Sequence, residues 1–211
     1  MAETGAFRAV IFDFGGVLCF PPTPEQIHEA ARALELTAES FLQDFWRDRL
    51  EYDRGQDARD YWQAIAAKAN RHLTSTEVQQ FVNREIAFWS RFDTRILGWI
   101  QDLRNAGLRT GILSNLPRPL GEHLRGVPGF LNHFDHITFS YELNLVKPEP
   151  GIYRHALGGL GLDPADALFL DDKVENIRGA SAVGLTAHLF TTWDEFVQLD
   201  LAGYGLPAPS S

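Results

Sequence analysis

Polar side chains stand directly after three short apolar runs, at the points where strands of a sheet would end. They are Asp13 after residues 9–12, Ser114-Asn115 after 110–113, and Asp171-Asp172 after 167–170. In a parallel α/β sheet, ligands bind at the edge where the carboxyl ends of the strands meet. The three groups are therefore predicted to converge at one site, although a helix cap would account for each of them taken singly.

The adjacent carboxylates Asp171 and Asp172 repel each other. They stay ionised only beside a cation or strong hydrogen-bond donors, and a set of oxygen ligands suits Mg²⁺. The pair therefore predicts a Mg²⁺ site. The alternative is a polar turn in which Asp172 caps the following helix.

Candidate phosphate ligands follow the first two of these runs. Gly15 and Gly16 allow close approach of the backbone to a ligand and present N–H groups, as phosphate sites require. Ser114 and Asn115 offer a hydroxyl and an amide that can donate to phosphate oxygens. A tight turn and a strand-to-helix cap are the respective alternatives.

Lys147 stands in the segment LVKPEPGIY, directly before Pro148. The following proline holds the lysine backbone extended. From such a position its ammonium group could neutralise a carboxylate and a phosphate together. A solvated surface lysine is the ordinary alternative.

Two further strand-like runs, 136–139 and 186–190, continue an alternation of strands with helical stretches. This alternation is typical of a parallel sheet covered by helices on both faces. The predicted fold class is α/β, with a Rossmann-like parallel sheet flanked by helices. Only helical signals occur between the first two strands. We therefore predict an inserted four-helix subdomain at 21–93 and a core domain built from 1–20 and 94–211.

Composition limits the class of partner. The 211 residues are 45% hydrophobic and carry a net charge of −9, which argues against nucleic acid or an anionic membrane as the main partner. No apolar run approaches the ~20 residues needed to span a bilayer, and the N-terminus is too polar for a secretory signal. Cys19 is the single cysteine, so the predicted setting is a reducing cytoplasm.

Taken together, the order and spacing of these motifs resemble the haloacid dehalogenase superfamily, whose members are mostly Mg²⁺-dependent phosphatases. Four family motifs match between Asp13 and Asn176, and the helical insert resembles the family's α-helical cap. The segments LVKPEPGIY and FLDDKVENIRGA are most similar to one branch. It contains bacterial sugar-phosphate phosphatases, such as glucose-1-phosphate phosphatase, and the N-terminal phosphatase domain of soluble epoxide hydrolase.

The resemblance implies a role for each motif residue that faces the substrate. Asp13 would be the nucleophile that attacks phosphorus and forms an aspartyl-phosphate, which water then hydrolyses. Ser114 and Lys147 would hold the phosphoryl oxygens, assisted by Gly16 and Asn115. The implied substrate is a small phosphorylated metabolite such as a sugar phosphate.

The resemblance also implies a set of Mg²⁺ ligands. The ion would be held by Asp13, the backbone carbonyl of Gly15 and Asp172. Asp171 would support it directly or through a neighbour, and Asn176 would orient the site. The bound metal would offset the repulsion between an anionic nucleophile and an anionic substrate.

Gly15 departs from the family pattern, because the phosphatases usually carry an Asp there as general acid/base, a contribution of ~10²–10⁴ in rate. The resembling sugar-phosphatase branch tolerates glycine at this position. Two alternatives follow: a 2-haloacid dehalogenase in which Asp13 displaces halide without metal, or a weakly active or non-catalytic member that binds a phosphorylated ligand. Dehalogenases usually replace the acidic pair seen here at Asp171-Asp172, which favours the phosphatase.

The cap is expected to set substrate choice because it closes over the site. Five of its polar residues are candidates to meet the substrate, with a solvated helix face as the alternative for each: His28, Arg47, Arg49, Arg54 and Arg59. The Trp residues at 46, 62 and 89 recur with other apolar residues at helical spacing and are predicted to lie in the core.

Overall fold

A five-stranded parallel sheet forms the centre of the computed structural model, which describes residues 6–209. Its strands are β1 (Ala9–Phe12), β2 (Arg109–Ser114), β3 (His136–Phe139), β4 (Ala167–Asp171) and β5 (Thr186–Leu189). They are arranged in the order β3-β2-β1-β4-β5. Both neighbours of β1 run parallel to it, so the carboxyl ends of β2, β1 and β4 lie side by side. The predicted α/β class is confirmed.

Eleven α-helices accompany the sheet within residues 6–209. They are α1 (Pro24–Ala33), α2 (Ala38–Arg47), α3 (Arg49–Arg54), α4 (Ala58–Ala67), α5 (Ser75–Phe88), α6 (Thr94–Asn105), α7 (Arg118–Gly126), α8 (Ser140–Leu143), α9 (Pro150–Leu160), α10 (Val174–Ala182) and α11 (Trp193–Phe196). None of these helices has the length and apolar character needed to cross a bilayer.

Helices cover both faces of the sheet because successive strand residues point to opposite sides. Along β1, Ala9 and Ile11 belong to one apolar cluster with residues of α9 and α10. Val10 and Phe12 belong to the other cluster, which includes residues of α6 and α7. β1 is buried along its whole length, and this leaves the residues that follow its carboxyl end to form the site.

Helices α1 to α5 all lie between β1 and α6. Thr23 and Thr74 cap α1 and α5 with the reciprocal hydrogen bonds of a capping box, which satisfy two otherwise unpaired N–H groups at each helix start. The insert has five helices rather than the predicted four, because the short α3 follows α2 across Asp48. A helix of six residues is too short to show a clear apolar period.

The two segments that connect the helical insert to the sheet run side by side. The Phe20 N–H donates to the Arg91 carbonyl at 2.9 Å, and the Asp93 N–H donates to the Leu18 carbonyl at 3.0 Å. This pairing lies at the predicted ends of the insert. It supports our proposal that residues 21–93 form a cap over a core of 1–20 and 94–211.

Candidate active site

Three strand ends bring the predicted polar residues to one edge of the sheet. Asp13 follows β1, Ser114 ends β2 and Asp171 ends β4. The Asp13 N–H donates to the Leu170 carbonyl at 2.9 Å, which holds the end of β1 against β4. The Asp13 carboxylate accepts a hydrogen bond from the Phe14 N–H at 2.7 Å. The carboxylate is thereby fixed at the mouth of the sheet.

Lys147 lies between two of the carboxylates. Its Nζ is 2.8 Å from Asp13 Oδ1 and 2.6 Å from Asp171 Oδ2, and all three side chains are buried. Burial alone would lower the pKa of Lys147, but the two carboxylates outweigh it and raise that pKa. The side chain is therefore a buried ammonium ion, and the alternative of a solvated surface lysine is wrong.

Asn115 holds the backbone of Lys147 from both sides. Its Oδ1 accepts the Lys147 N–H at 2.7 Å, and its Nδ2 donates to the Lys147 carbonyl at 3.0 Å. These contacts make Asn115 a positioning residue for the lysine. Direct contact of Asn115 with phosphate stays a prediction. The contact would have to use the second hydrogen of Nδ2, because the first is donated to the Lys147 carbonyl.

The two members of the acidic pair differ in their surroundings. Both oxygens of Asp171 are already engaged, by the Lys147 ammonium, the Lys173 N–H at 2.8 Å and the Asn176 amide at 2.9 and 3.1 Å. Within the described part of the chain, no hydrogen bond or ion pair engages the Asp172 carboxylate. Of the two, Asp172 is therefore the one free to bind a ligand directly, and Asp171 is placed to support it.

The loop glycine Gly16 lets Asp172 approach the loop closely. A Cβ at position 16 would lie only 2.6 Å from Asp172 Oδ2, and the backbone φ of +80° is one that favours glycine. A larger residue at this position would push the free carboxylate away from Asp13. The second glycine of the loop is therefore required by the geometry of the acidic cluster.

The charges of this site favour a bound cation. Carboxylate oxygens of Asp13, Asp171 and Asp172 lie within 4.8 Å of one another, and Lys147 offsets only one of the three negative charges. Burial raises the pKa of Asp13 despite Lys147. Burial, followed by the charges of Asp13 and Asp171, raises the pKa of Asp172 to about 7. A divalent cation among these oxygens would reverse both shifts, so the donor set fits Mg²⁺.

The place above Gly15 is taken by an aromatic ring. A Cβ added at Gly15 would lie 3.1 Å from Cζ3 of Trp89, the residue that follows α5. A side chain at position 15 would therefore crowd the indole, which would have to shift by a few tenths of an ångström to admit even a Cβ. Trp89 of the helical insert thus packs against Gly15, and this packing fits the absence of an acidic side chain at position 15.

A cavity of about 720 Å³ opens from the site toward α1, α2 and α3. Its base is formed by residues of the sheet edge: Asp13, Gly15, Gly16, Ser114, Asn115, Lys147, Asp172 and Asn176. The volume is in the ordinary range for small-molecule sites. Eight of the nine sheet-edge residues that were given a role from the sequence line this cavity, and Asp171 lies buried behind them.

Arg49 is one of the five cap residues predicted to meet the substrate, and it does not lie on a solvated helix face. Its guanidinium is buried, 2.8 Å from Asp53 Oδ1, and it also pairs with Glu85 of α5. Burial raises the pKa of Asp53 to about 6 although Arg49 opposes the shift. Arg49 and Asp53 stand four residues apart on one helix. This spacing favours an ion pair, so the contact could have been predicted from the sequence.

The other four cap candidates are dispersed. His28 lines the cavity, but Arg47 pairs with Asp44 and Arg54 pairs with Glu149. Arg59 is exposed and is not among the residues that line the cavity. The structure therefore brings only His28 and Arg49 of this group to the cavity.

The three cap tryptophans also differ from one another. Trp62 is fully buried, as predicted. Trp46 is 44% exposed and lines the cavity, so its assignment to the core is wrong. The α2 helix presents Phe41 and Phe45 to the core, and this leaves Trp46, one position further round the helix, at the wall of the cavity.

Comparison with known proteins places the chain in a family. The model of the haloacid dehalogenase-like hydrolases matches residues 7–184. A sesquiterpene phosphatase of Aspergillus oryzae is 28% identical over 181 residues, which cover 85% of this chain and 87% of that protein. A drimenol cyclase of Aspergillus calidoustus is 30% identical over 207 residues, which cover 95% of this chain but 37% of the longer relative.

A solved structure has the same fold. The haloacid dehalogenase family enzyme of Bacteroides thetaiotaomicron, crystallised with magnesium and inorganic phosphate, superposes with a TM-score of 0.70 at 19% identity. The match covers 90% of this chain and 99% of that enzyme. With the family model spanning most of the chain, the conclusion is that this protein belongs to the haloacid dehalogenase-like hydrolases.

Proposed function

We propose that the protein is a Mg²⁺-dependent phosphatase that hydrolyses a small phosphorylated metabolite through an aspartyl-phosphate on Asp13. The observation that carries this proposal is the cluster of Asp13, Asp171 and Asp172 around the buried Lys147 at the base of a cavity. A nucleophile, a cationic phosphate ligand and a free carboxylate for a metal thus lie together where a ligand can reach them.

The proposed reaction has two steps. The Asp13 carboxylate attacks phosphorus, and the bond to the leaving oxygen breaks as the acyl phosphate forms. The leaving oxygen takes its proton from water, because Gly15 has no acidic side chain to donate one. Water then hydrolyses the acyl phosphate, which releases inorganic phosphate and restores Asp13. Lys147 and Ser114 bind the phosphoryl oxygens. Burial raises the pKa of Asp13, and the positive charge of Lys147 opposes that shift.

Mg²⁺ would be held by Asp13, Asp172 and the Gly15 carbonyl, with Asp171 in support. When bound, it would neutralise charge on the phosphoryl group and on the nucleophile. The Lys173 and Asn176 contacts that fix Asp171 keep this side of the cluster in place. The N–H groups of the glycine loop would complete the cradle for the phosphate.

The known proteins support the proposal at the level of reaction class. One relative that matches most of this chain is called a phosphatase, and one enzyme with the same fold binds magnesium and phosphate. A cytoplasmic location and a sugar phosphate as substrate stay predictions.

The dehalogenase alternative makes less use of the observed residues. A reaction that displaces halide without metal has no use for the Asp172 carboxylate, which lies beside two other carboxylates and has no hydrogen-bond or ion-pair partner within residues 6–209. Three acidic side chains against one lysine would also repel a 2-haloacid anion more than a phosphate ester with its metal. The non-catalytic alternative rests on Gly15 alone.

The test is release of phosphate from a panel of phosphorylated metabolites and acetyl phosphate, with Mg²⁺ and with EDTA. Wild type, Asp13→Asn and Asp172→Asn are compared, and halide release from 2-haloacids is measured in parallel. The proposal predicts phosphate release that needs Mg²⁺ and is lost in both variants. Halide release without metal, together with no phosphate release, would show that the alternative is correct.

A further inference from the structure

We infer that the substrate is a phosphate monoester of an apolar alcohol, whose hydrocarbon part occupies the cavity under the cap. The inference rests on the proposed phosphatase function and names the substrate class for that site. It differs from the sugar phosphate expected from the sequence. The argument concerns the part of the cavity beyond the phosphate site, which we call the cap chamber.

The walls of the cap chamber are mainly apolar. They are contributed by α1, α2, α7, the residue after α5 and the loops after β1 and β2, and they include Pro22, Ile27, Leu42, Trp46, Trp89 and Leu120. Contact between such a wall and hydrocarbon stabilises the complex, whereas contact with hydroxyl groups stabilises it little. The chamber is continuous with the phosphate site, so its occupant must carry the phosphate.

The indole N–H of Trp89 is buried without a hydrogen-bond partner within residues 6–209, so the cap chamber offers its occupant one donor. Three other polar side chains of the chamber already have partners. Arg49 is paired with Asp53 and Glu85, His28 Nδ1 contacts the Pro24 carbonyl at 2.6 Å, and the Thr191 hydroxyl donates to Glu195.

Lys173 lies with its Nζ 5.2 Å from the centre of the Trp46 ring. It is exposed at the rim, where its ammonium group can stay hydrated.

A sugar would bring several hydroxyl groups into this space. Each hydroxyl that loses water without gaining a protein partner weakens binding. The buried Arg49 cluster has one positive and two negative side chains, so it offers no net positive charge for a second phosphate or a carboxylate. An uncharged, apolar organic group is the one that suits these walls.

The experiment compares phosphate esters that share the same kind of leaving oxygen. Butyl, hexyl and octyl phosphate and glucose 6-phosphate are all esters of primary alcohols, and hexyl phosphate has the carbon number of glucose 6-phosphate. Differences in kcat/KM therefore report on the organic group rather than on the chemistry of the leaving oxygen. Acetyl phosphate, whose organic part is very small, reports whether the phosphatase reaction itself occurs.

The expected kcat/KM rises about fourfold for each added methylene, the factor that ~0.8 kcal/mol per buried methylene corresponds to. The kcat/KM of octyl phosphate should thus exceed that of hexyl phosphate by about fifteenfold, and the kcat/KM of hexyl phosphate should exceed that of glucose 6-phosphate by at least about tenfold. Octylphosphonate should also bind the Asp13→Asn variant more tightly than butylphosphonate does, which tests the chamber without turnover.

Substitutions of cap residues test whether the dependence on chain length comes from the walls of the cap chamber. Leu42→Ala and Trp46→Ala each remove part of the chamber wall and should lower the octyl-to-butyl ratio of kcat/KM about fivefold. The matched control is Leu50→Ala. Leu50 lies 50% exposed on α3 and is not among the residues lining the chamber, so this variant should keep the wild-type ratio.

The outcomes separate this inference from the proposed function. Hydrolysis of acetyl phosphate with no dependence on chain length, or with glucose 6-phosphate as the better ester, would overturn the apolar substrate and leave the phosphatase intact. If no ester and no acetyl phosphate is hydrolysed with Mg²⁺, the proposed function fails and the inference falls with it.

Discussion

Asn115 offers a sharp test of how the site is positioned. Its side chain makes two hydrogen bonds to the backbone of Lys147, and that lysine contacts both Asp13 and Asp171. Asn115→Ala removes both bonds and leaves the Lys147 N–H and carbonyl without partners. The positioning role predicts that the loss of activity comes from the displaced lysine, because both polar groups of the Asn115 side chain are engaged by the Lys147 backbone.

The magnitude follows from the two lost bonds. At ~1 kcal/mol net for each, with a further cost for backbone groups left unpaired, the expected loss of unfolding free energy is ~2–3 kcal/mol. For a chain of this length, ~2–4 °C per kcal/mol gives a fall in Tm of roughly 5–10 °C. A displacement of Lys147 by ~1 Å should lower kcat by up to about 10²-fold.

Urea unfolding gives the stability change, and the rate of phosphate release at a temperature well below Tm gives kcat. Asn132→Ala, at an exposed asparagine of the short 3-10 helix before β3, is the matched control and should change neither. Asn115→Asp should also be impaired, because its second oxygen would face the Lys147 carbonyl. Wild-type kcat in a folded Asn115→Ala protein would refute the positioning role.

Further predictions concern the cap. Arg49→Met leaves Asp53 and Glu85 buried without a counter-charge, and it should lower the unfolding free energy in urea by ~3–5 kcal/mol; a change below ~1 kcal/mol would contradict this account. Burial raises the pKa of Asp53 to about 6 from the ordinary 3.8. Between these pH values, Asp53 is protonated in the folded state and ionised in the unfolded state. Stability should therefore fall as pH rises from ~4 to ~6, by up to ~3 kcal/mol, and Asp53→Asn should flatten this part of the curve of urea stability against pH. Gly15→Asp should fail to raise kcat because Trp89 occupies the space, whereas Gly15→Asp combined with Trp89→Leu should raise it, up to the ~10²-fold of an added general acid. A faster single variant would show that the indole is not the obstacle.

The sheet and its polar edge could be predicted because the signals are local. β1 and β4 are buried runs that end in carboxylates, and parallel pairing alone brings Asp13 and Asp171 to the same edge. The capping boxes at Thr23 and Thr74 likewise depend on residues three positions apart. The sequence signal for each of these features lies within a few consecutive residues.

The contents of the cap depend instead on contacts between distant segments. Arg49 is buried because Glu85 of α5 packs against α3, and Trp89 covers Gly15 from more than seventy positions away. Trp46 lines a cavity whose other walls lie on α1 and on the sheet edge. Apolar periodicity identifies the helices but does not show which apolar residue faces the core and which faces a cavity.

The most direct test of the central claim is to detect the phosphoryl group on Asp13. Enzyme mixed with acetyl phosphate and Mg²⁺ is quenched in acid during turnover and digested, and the peptide containing Asp13 is examined for phosphate. The account predicts label on this peptide, absent with EDTA and absent in Asp13→Asn. Continued phosphate release by Asp13→Asn, with no label on the wild-type peptide, would contradict it.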